Sequence, residues 1–213
     1  MTAAESDAPD LAALLGARLC HDLISPLGAI RNGLELLEMS APAGEAPAEL
    51  QLISDSLETA LARLRYFRLA FGPADARSRQ PFAEAIQATD AMFAGRFTVT
   101  WETRGLDMLR PVARLIYLAI LCLEKSLPMG GCVRIAVADD ATAELTVEGR
   151  RTAPPAAWTH VTEGDPIDEL RADCVQFALL RRALVETGQR LTATFTETGA
   201  ELHLMPQRVG QPA

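Results

Sequence analysis

A chain of 213 residues in which 49% of the side chains are apolar can fill one large core or two modest ones, and it is too apolar to be disordered. A formal net charge of −8 gives no general attraction to nucleic acid or to an anionic membrane, and no apolar run approaches the length of a bilayer span. No basic segment leading into an apolar run opens the sequence, and the four cysteines (Cys20, Cys122, Cys132, Cys174) form no CxxC, so the expectation is a cytoplasmic protein with reduced, mostly buried thiols and no metal site of its own.

In chain order, the first predicted element is a long helix from about Leu11 to Met39. Ala13, Gly16, Cys20, Leu23, Leu27, Ile30, Leu34 and Leu37 recur in alternating steps of three and four, the pattern of an a/d seam. Ser40-Ala41-Pro42-Ala43-Gly44 breaks it, and Pro47 suits the first turn of a second helix that runs to Phe71 with Gly72 as its cap. In that helix Leu50, Ile53, Leu57, Ala60, Leu64, Phe67 and Phe71 hold heptad spacing. Two such helices make an antiparallel hairpin. Leu19, Leu36, Leu61 and Leu69 widen its apolar face beyond what one partner helix covers, so a second copy is expected to complete a four-helix bundle as a homodimer; coverage by the rest of the chain is the alternative.

Residues 1–75 are accordingly assigned to the hairpin, and after a linker rich in small residues (Pro73 to Arg79) residues 76–213 change period. Helices are predicted at Phe82–Phe93, Pro111–Leu127 and from about Ile167 to Thr187, the last ended by Gly188. Strands are predicted at Phe97–Trp101, Cys132–Ala138, Ala143–Glu148, Arg190–Thr196 and Ala200–Met205, with Asp139-Asp140 as a turn and Pro154-Pro155 in a loop. The fold class is α+β: a helical hairpin followed by an α/β sandwich, a mixed sheet with helices on one face.

His21 lies off the seam, because each helical residue turns the side-chain direction by about 100°. Its own face carries Ala17, Arg18, Ser25 and Gly28, with Asn32 further along, a shallow track that a second protein's backbone can approach. Pro26 has no amide hydrogen, so the carbonyl of Asp22 loses its helical donor just beyond the histidine. Such a proline costs about 3 kcal/mol in a helix interior, which argues that it is used.

His21-Asp22-Leu23, Pro26-Leu27 and Ile30 resemble the H-box of sensor histidine kinases, and the run from Arg18 to Leu37 resembles the ChpT-type histidine phosphotransferases of alphaproteobacteria. The resemblance covers nearly the whole chain. It implies a dimerising hairpin joined to a domain shaped like a kinase ATPase domain that has lost its nucleotide. Where that domain carries its N-box asparagines this chain has Leu118 and Cys122, and Val147-Glu148-Gly149-Arg150 lacks the aspartate and second glycine of the adenine-binding motif. Leucine and cysteine supply no oxygen for magnesium, and no ATP hydrolysis is expected.

The resemblance implies that His21 accepts a phosphoryl group from the receiver domain of a hybrid histidine kinase and passes it to the receiver domain of a response regulator. Magnesium would come from the partner receiver, with no cofactor bound by this chain. Asp22 is a candidate to orient the ring nitrogen that does not react, a plain surface acid being the alternative. Counted back from the hairpin turn, Arg65 and Arg68 fall near the level of His21, where with Arg18 they could meet a receiver or the phosphoryl group; Arg150 and Arg151 are candidates for a further docking contact. An active histidine kinase and a non-catalytic dimeric adaptor for receiver domains are the other readings.

Overall fold

A computed structural model describes residues 10–39, 47–103, 105, 107–138, 141–167 and 170–207. The predicted Ser40–Gly44 break and the Asp139-Asp140 turn lie outside the described residues.

Two long helices open the chain: α1 (Leu11–Met39), which runs through Pro26, and α2 (Pro47–Phe71), ending where the amide of Gly72 bonds to the carbonyl of Arg68 at 3.1 Å. They pack as the expected hairpin. The second part of the chain folds as a mixed five-stranded sheet with helices on one face. Its strands are β2 (Phe97–Trp101), β4 (Gly131–Val137), β5 (Ala143–Gly149), β6 (Gln189–Phe195) and β7 (Gly199–Pro206), in the spatial order β2-β4-β5-β7-β6; β2 runs parallel to β4 and the other pairs are antiparallel. Period-two alternation sends Phe97, Val99, Trp101, Val133, Ile135, Leu145, Val147, Leu202 and Leu204 inward and leaves Thr98, Thr100, Glu144 and Glu201 on the open face.

Helix α3 (Phe82–Met92), α4 (Arg110–Ser126) and α6 (Val175–Thr187) cover the inner face. From Leu115 to Leu123 every residue of α4 is buried, because the sheet covers one side of it and α6 and the hairpin cover the other. Gly188 closes α6 in the left-handed conformation at φ 62°, as its position predicts. The core is continuous between the two parts: Tyr66, Phe67 and Ala70 of α2 are buried, with Tyr66 edge-on to Phe93 at 5.1 Å and to Tyr117 at 5.4 Å, and its hydroxyl donates to the Tyr117 carbonyl at 3.0 Å.

Several expectations are corrected. The last helix starts at Val175, not Ile167; a single 3-10 turn, 172–174, leads into it. The segment after Pro154-Pro155 holds a short helix, α5 (Ala157–Thr162), whose Trp158 and Val161 are buried. Strands β1 (Arg79–Pro81) and β3 (Asp107–Leu109) form a small ribbon that three residues apiece are too short to announce. Of the cysteines only Cys122 is fully buried, and Cys20 is exposed.

The largest correction concerns the seam. Leu27, Leu34, Leu57 and Leu64 are 47–54% exposed, so these heptad positions face away from the hairpin's own interior. The face of α1 that packs inward carries Leu11, Leu14, Leu15 and Leu19 against the core, then buried Pro26 and Gly33. The second part of the chain therefore covers one side of the hairpin and leaves a leucine stripe on the other. Among the described residues no helix is long and apolar enough to cross a membrane.

Candidate functional site

His21 stands on α1 midway along the hairpin, and its side chain is 85% exposed. The residue beside it is the opposite: Asp22 is 12% exposed and both carboxylate oxygens are engaged. Oδ1 lies 2.9 Å from Nδ1 of His21, and Oδ2 accepts from Nε of Arg18 at 2.6 Å. An ionised carboxylate can only accept, so this contact selects the neutral tautomer with its proton on Nδ1, in which Nε2 keeps its lone pair. Arg18 is fixed in turn, its Nη1 donating to the carbonyl of Asp173 at 3.2 Å across to the second part of the chain.

The carbonyl that Pro26 orphans has found a donor. Nη1 of Arg63, on α2, reaches it at 2.7 Å. The guanidinium thus replaces a main-chain amide and ties the two helices together at the level of the histidine.

One side of His21 opens on a cleft of about 860 Å³ between α1 and the second part of the chain. Ala17, Arg18, His21 and Asp22 form one wall; Leu121, Glu124 and Lys125 of α4, Arg96 just before β2, Pro128, and Arg171 to Asp173 form the other. Nζ of Lys125 holds Asp173 at 2.5 Å and Nε of Arg171 lies 3.5 Å from it, so the Asp173 carboxyl sits below its ordinary range, chiefly through the lysine hydrogen bond. Burial pushes the Glu124 carboxyl up, against the opposing pull of Arg18, Arg63 and Arg96. No group of three or more histidine, cysteine or acidic residues placed to hold a metal ion occurs among the described residues.

Of the residues singled out from the sequence, the structure brings together His21, Asp22, Ala17 and Arg18. Ser25, Gly28 and Asn32 continue along α1 beyond the cleft; Ser25 and Asn32 are exposed, and nothing lies within 4 Å of a Cβ built on Gly28. Arg65 and Arg68 are exposed but do not line the cleft: Arg65 faces a separate hollow with Asp55, Glu58 and Ala91. In the same stretch of α2 it is Arg63 that reaches Asp22. Arg150 and Arg151 are exposed and follow Gly149, whose partner across the sheet, Gly131, adjoins the Pro128 turn at the cleft's rim. Arg96, Glu124, Lys125, Arg171 and Asp173 carried no local motif; only the fold places them opposite His21.

A family model described as the histidine phosphotransferase C-terminal domain matches residues 82–199. Protein phosphotransferase ChpT of Brucella abortus (strain 2308) is 36% identical over 168 residues, covering 75% of this chain and 79% of that protein. A solved bacterial phosphotransferase superimposes with a TM-score of 0.77 at 31% identity, over 96% of this chain and 98% of that one. The histidine kinase domain of an Erythrobacter litoralis blue-light activated histidine kinase superimposes more loosely, with a TM-score of 0.44 at 15% identity over 84% of this chain and 95% of that one.

Proposed function

Since the chain belongs to the histidine phosphotransferase family, we propose that it carries phosphoryl groups on His21 from the receiver domain of a hybrid histidine kinase to the receiver domain of a response regulator. The observation that carries this is the pairing of an exposed ring with a largely covered acid: Asp22 engages Nδ1 and leaves Nε2 the free nucleophile.

In the transfer, the Nε2 lone pair attacks the phosphorus of an aspartyl phosphate in line, the P–O bond breaks, and the receiver's carboxylate leaves with its electron pair. The Nδ1 proton stays, so the ring becomes cationic, and the Asp22 carboxylate balances that charge. The second transfer reverses these steps on another receiver. Magnesium belongs to the receiver's own aspartyl site; this chain supplies a positioned nucleophile, with Ala17, Ser25 and Gly28 as the small-residue approach along α1 and Asn32, Arg65, Arg68, Arg150 and Arg151 as outer docking contacts.

ATP has no part in this chemistry. Leu118 and Cys122 are fully buried in α4, and α5 packs over its C-terminal end: Nε1 of Trp158 donates to Oγ of Ser126 at 2.8 Å while its ring packs on Phe177 at 5.4 Å and Phe195 at 5.3 Å. Val147, at the place of the adenine-binding aspartate two residues before Gly149, is buried and offers no carboxylate. A homodimer accounts for the leucine stripe, because pairing Leu27 and Leu34 with Leu57 and Leu64 of a second copy buries what the chain leaves exposed.

The test is transfer from a phosphorylated receiver, with acid-labile label appearing on the chain and absent from His21→Ala. Label that survives this substitution overturns the assignment.

A further inference from the structure

The cleft beside His21 has the wrong charge for this protein. The chain as a whole has 20 basic against 28 acidic residues, yet the lining carries four cations (Arg18, Arg96, Lys125, Arg171) against three carboxyls (Asp22, Glu124, Asp173). Three of the four cations are committed: Arg18 to Asp22, and Lys125 and Arg171 to Asp173. Arg96 is not, for its guanidinium makes no ion pair or hydrogen bond with any described residue.

Its backbone, by contrast, is held tightly. The amide of Gly131 bonds to the Arg96 carbonyl at 2.8 Å, and Gly130 adopts φ 81° so close to that carbonyl that a Cβ on Gly130 would lie 2.1 Å from the oxygen. Gly130 thus lets the α4–β4 turn press against the main chain of Arg96. An exposed arginine with no ion-pair or hydrogen-bond partner, on a clamped backbone at the edge of a cleft, is built to meet an anion brought to that cleft.

We propose that this anion is the phosphoryl group on His21 itself: once transferred, it is held in the cleft by Arg96 of the second part of the chain, with Lys125 and Arg171 adding to the field. The proposal rests on the relay reading above and deepens it by giving the nucleotide-domain-like half a role, as the cradle of the phosphohistidine between transfers. The half-buried Glu124 carboxyl feels the charge of the same Arg18, Arg63 and Arg96 without an ion pair to Arg96, and it is the internal anion with which the phosphoryl group competes.

The test loads His21 with phosphoramidate, which needs no receiver: Nε2 attacks phosphorus, the P–N bond breaks and ammonia departs. The pH titration of the phosphohistidine ³¹P resonance is then compared in the wild type, Arg96→Gln and Arg96→Lys. A guanidinium on the phosphoryl oxygens favours their ionised form, so Arg96→Gln raises the midpoint by about 0.5 pH units or more and Arg96→Lys restores most of the shift. Coincident midpoints in all three overturn the proposal.

A second readout separates holding from docking. The equilibrium constant for phosphoryl exchange between free receiver and free chain depends only on the free species, and half a unit corresponds to about a threefold smaller share on His21 in Arg96→Gln. A change in exchange rate alone, with the equilibrium unmoved, makes Arg96 a receiver contact and overturns the cradle. Failure of the relay reading looks different: His21 loads from phosphoramidate and exchanges with no receiver, while the ³¹P comparison still decides the role of Arg96.

Discussion

Arg63 on α2 donates a 2.7 Å hydrogen bond to the carbonyl of Asp22 on α1, the acceptor that Pro26 strips of its helical donor. One side chain therefore repairs the proline's damage and fixes the helix crossing next to His21.

That relationship predicts a coupling. Arg63→Met leaves the carbonyl unsatisfied in a part-buried place and should cost about 1–3 kcal/mol in urea denaturation. Adding Pro26→Ala returns a main-chain amide to the same oxygen and should recover a large part of the loss, so the two substitutions are non-additive. Simple additivity in the double-mutant cycle would show that the bond contributes nothing of its own.

Removing the acid beside the histidine should slow transfer without removing the site. Asp22→Ala frees Nδ1, loses the counter-charge for the phosphorylated ring and is expected to lower the transfer rate roughly 10²-fold. Asp22→Asn keeps an acceptor oxygen and should fall between the two, as measured by label transfer from a phosphorylated receiver.

Glu124 predicts a pH effect with a definite sign. Its carboxyl is raised in the folded chain by burial, so the folded state holds the proton more tightly than the unfolded one, and stability declines as pH rises from the unfolded value to the folded value. Glu124→Gln removes that decline. Its melting temperature should exceed the wild type's at pH 7.5, and the gap should close below about pH 4, where the carboxyl is protonated in both states. A gap that persists unchanged to pH 3.5 would assign the effect to packing instead.

The leucine stripe predicts the assembly. Light scattering should give a dimer for the wild type and a monomer for Leu27→Glu combined with Leu64→Glu, with the fluorescence of Trp101 and Trp158 in the second part of the chain unchanged. A wild-type monomer at micromolar concentration would remove the four-helix bundle from the reading.

Restoring the lost asparagines should not restore a nucleotide site. Cys122→Asn puts an amide into a fully buried position and should cost about 1–3 kcal/mol, with no heat of binding on titration with magnesium-ATP. Measurable ATP affinity in the unmodified chain would return the active-kinase reading to contention.

Most of the architecture was legible because its elements are long and periodic: both hairpin helices, the buried α4 and the alternating strands β4, β5 and β7 appear where their patterns put them. Short pieces were not. The β1–β3 ribbon and α5 are set by tertiary contacts, as when Trp158 finds Ser126. His21 and Asp22 could be read from their spacing to Pro26 and Leu27. Arg63 could not, because choosing it over Arg65 needs the rotation of α2 about its axis, and that is set by Tyr66 and Phe67 entering the second core. The heptads were real, but a heptad does not say whether its partner is the next helix in the chain or one in another molecule.

The shared core around Tyr66, Phe93 and Tyr117 bears on how such a device operates. A domain that had to ferry a nucleotide to the histidine would need to let go of the hairpin and return; this one shares a core with it through Tyr66, Phe93 and Tyr117, which suits the proposed relay, where no nucleotide is carried. In the relay proposed above, its throughput depends on traffic, meaning the supply of charged and empty receivers in the surrounding solution, and the direction of flow is a property of that supply.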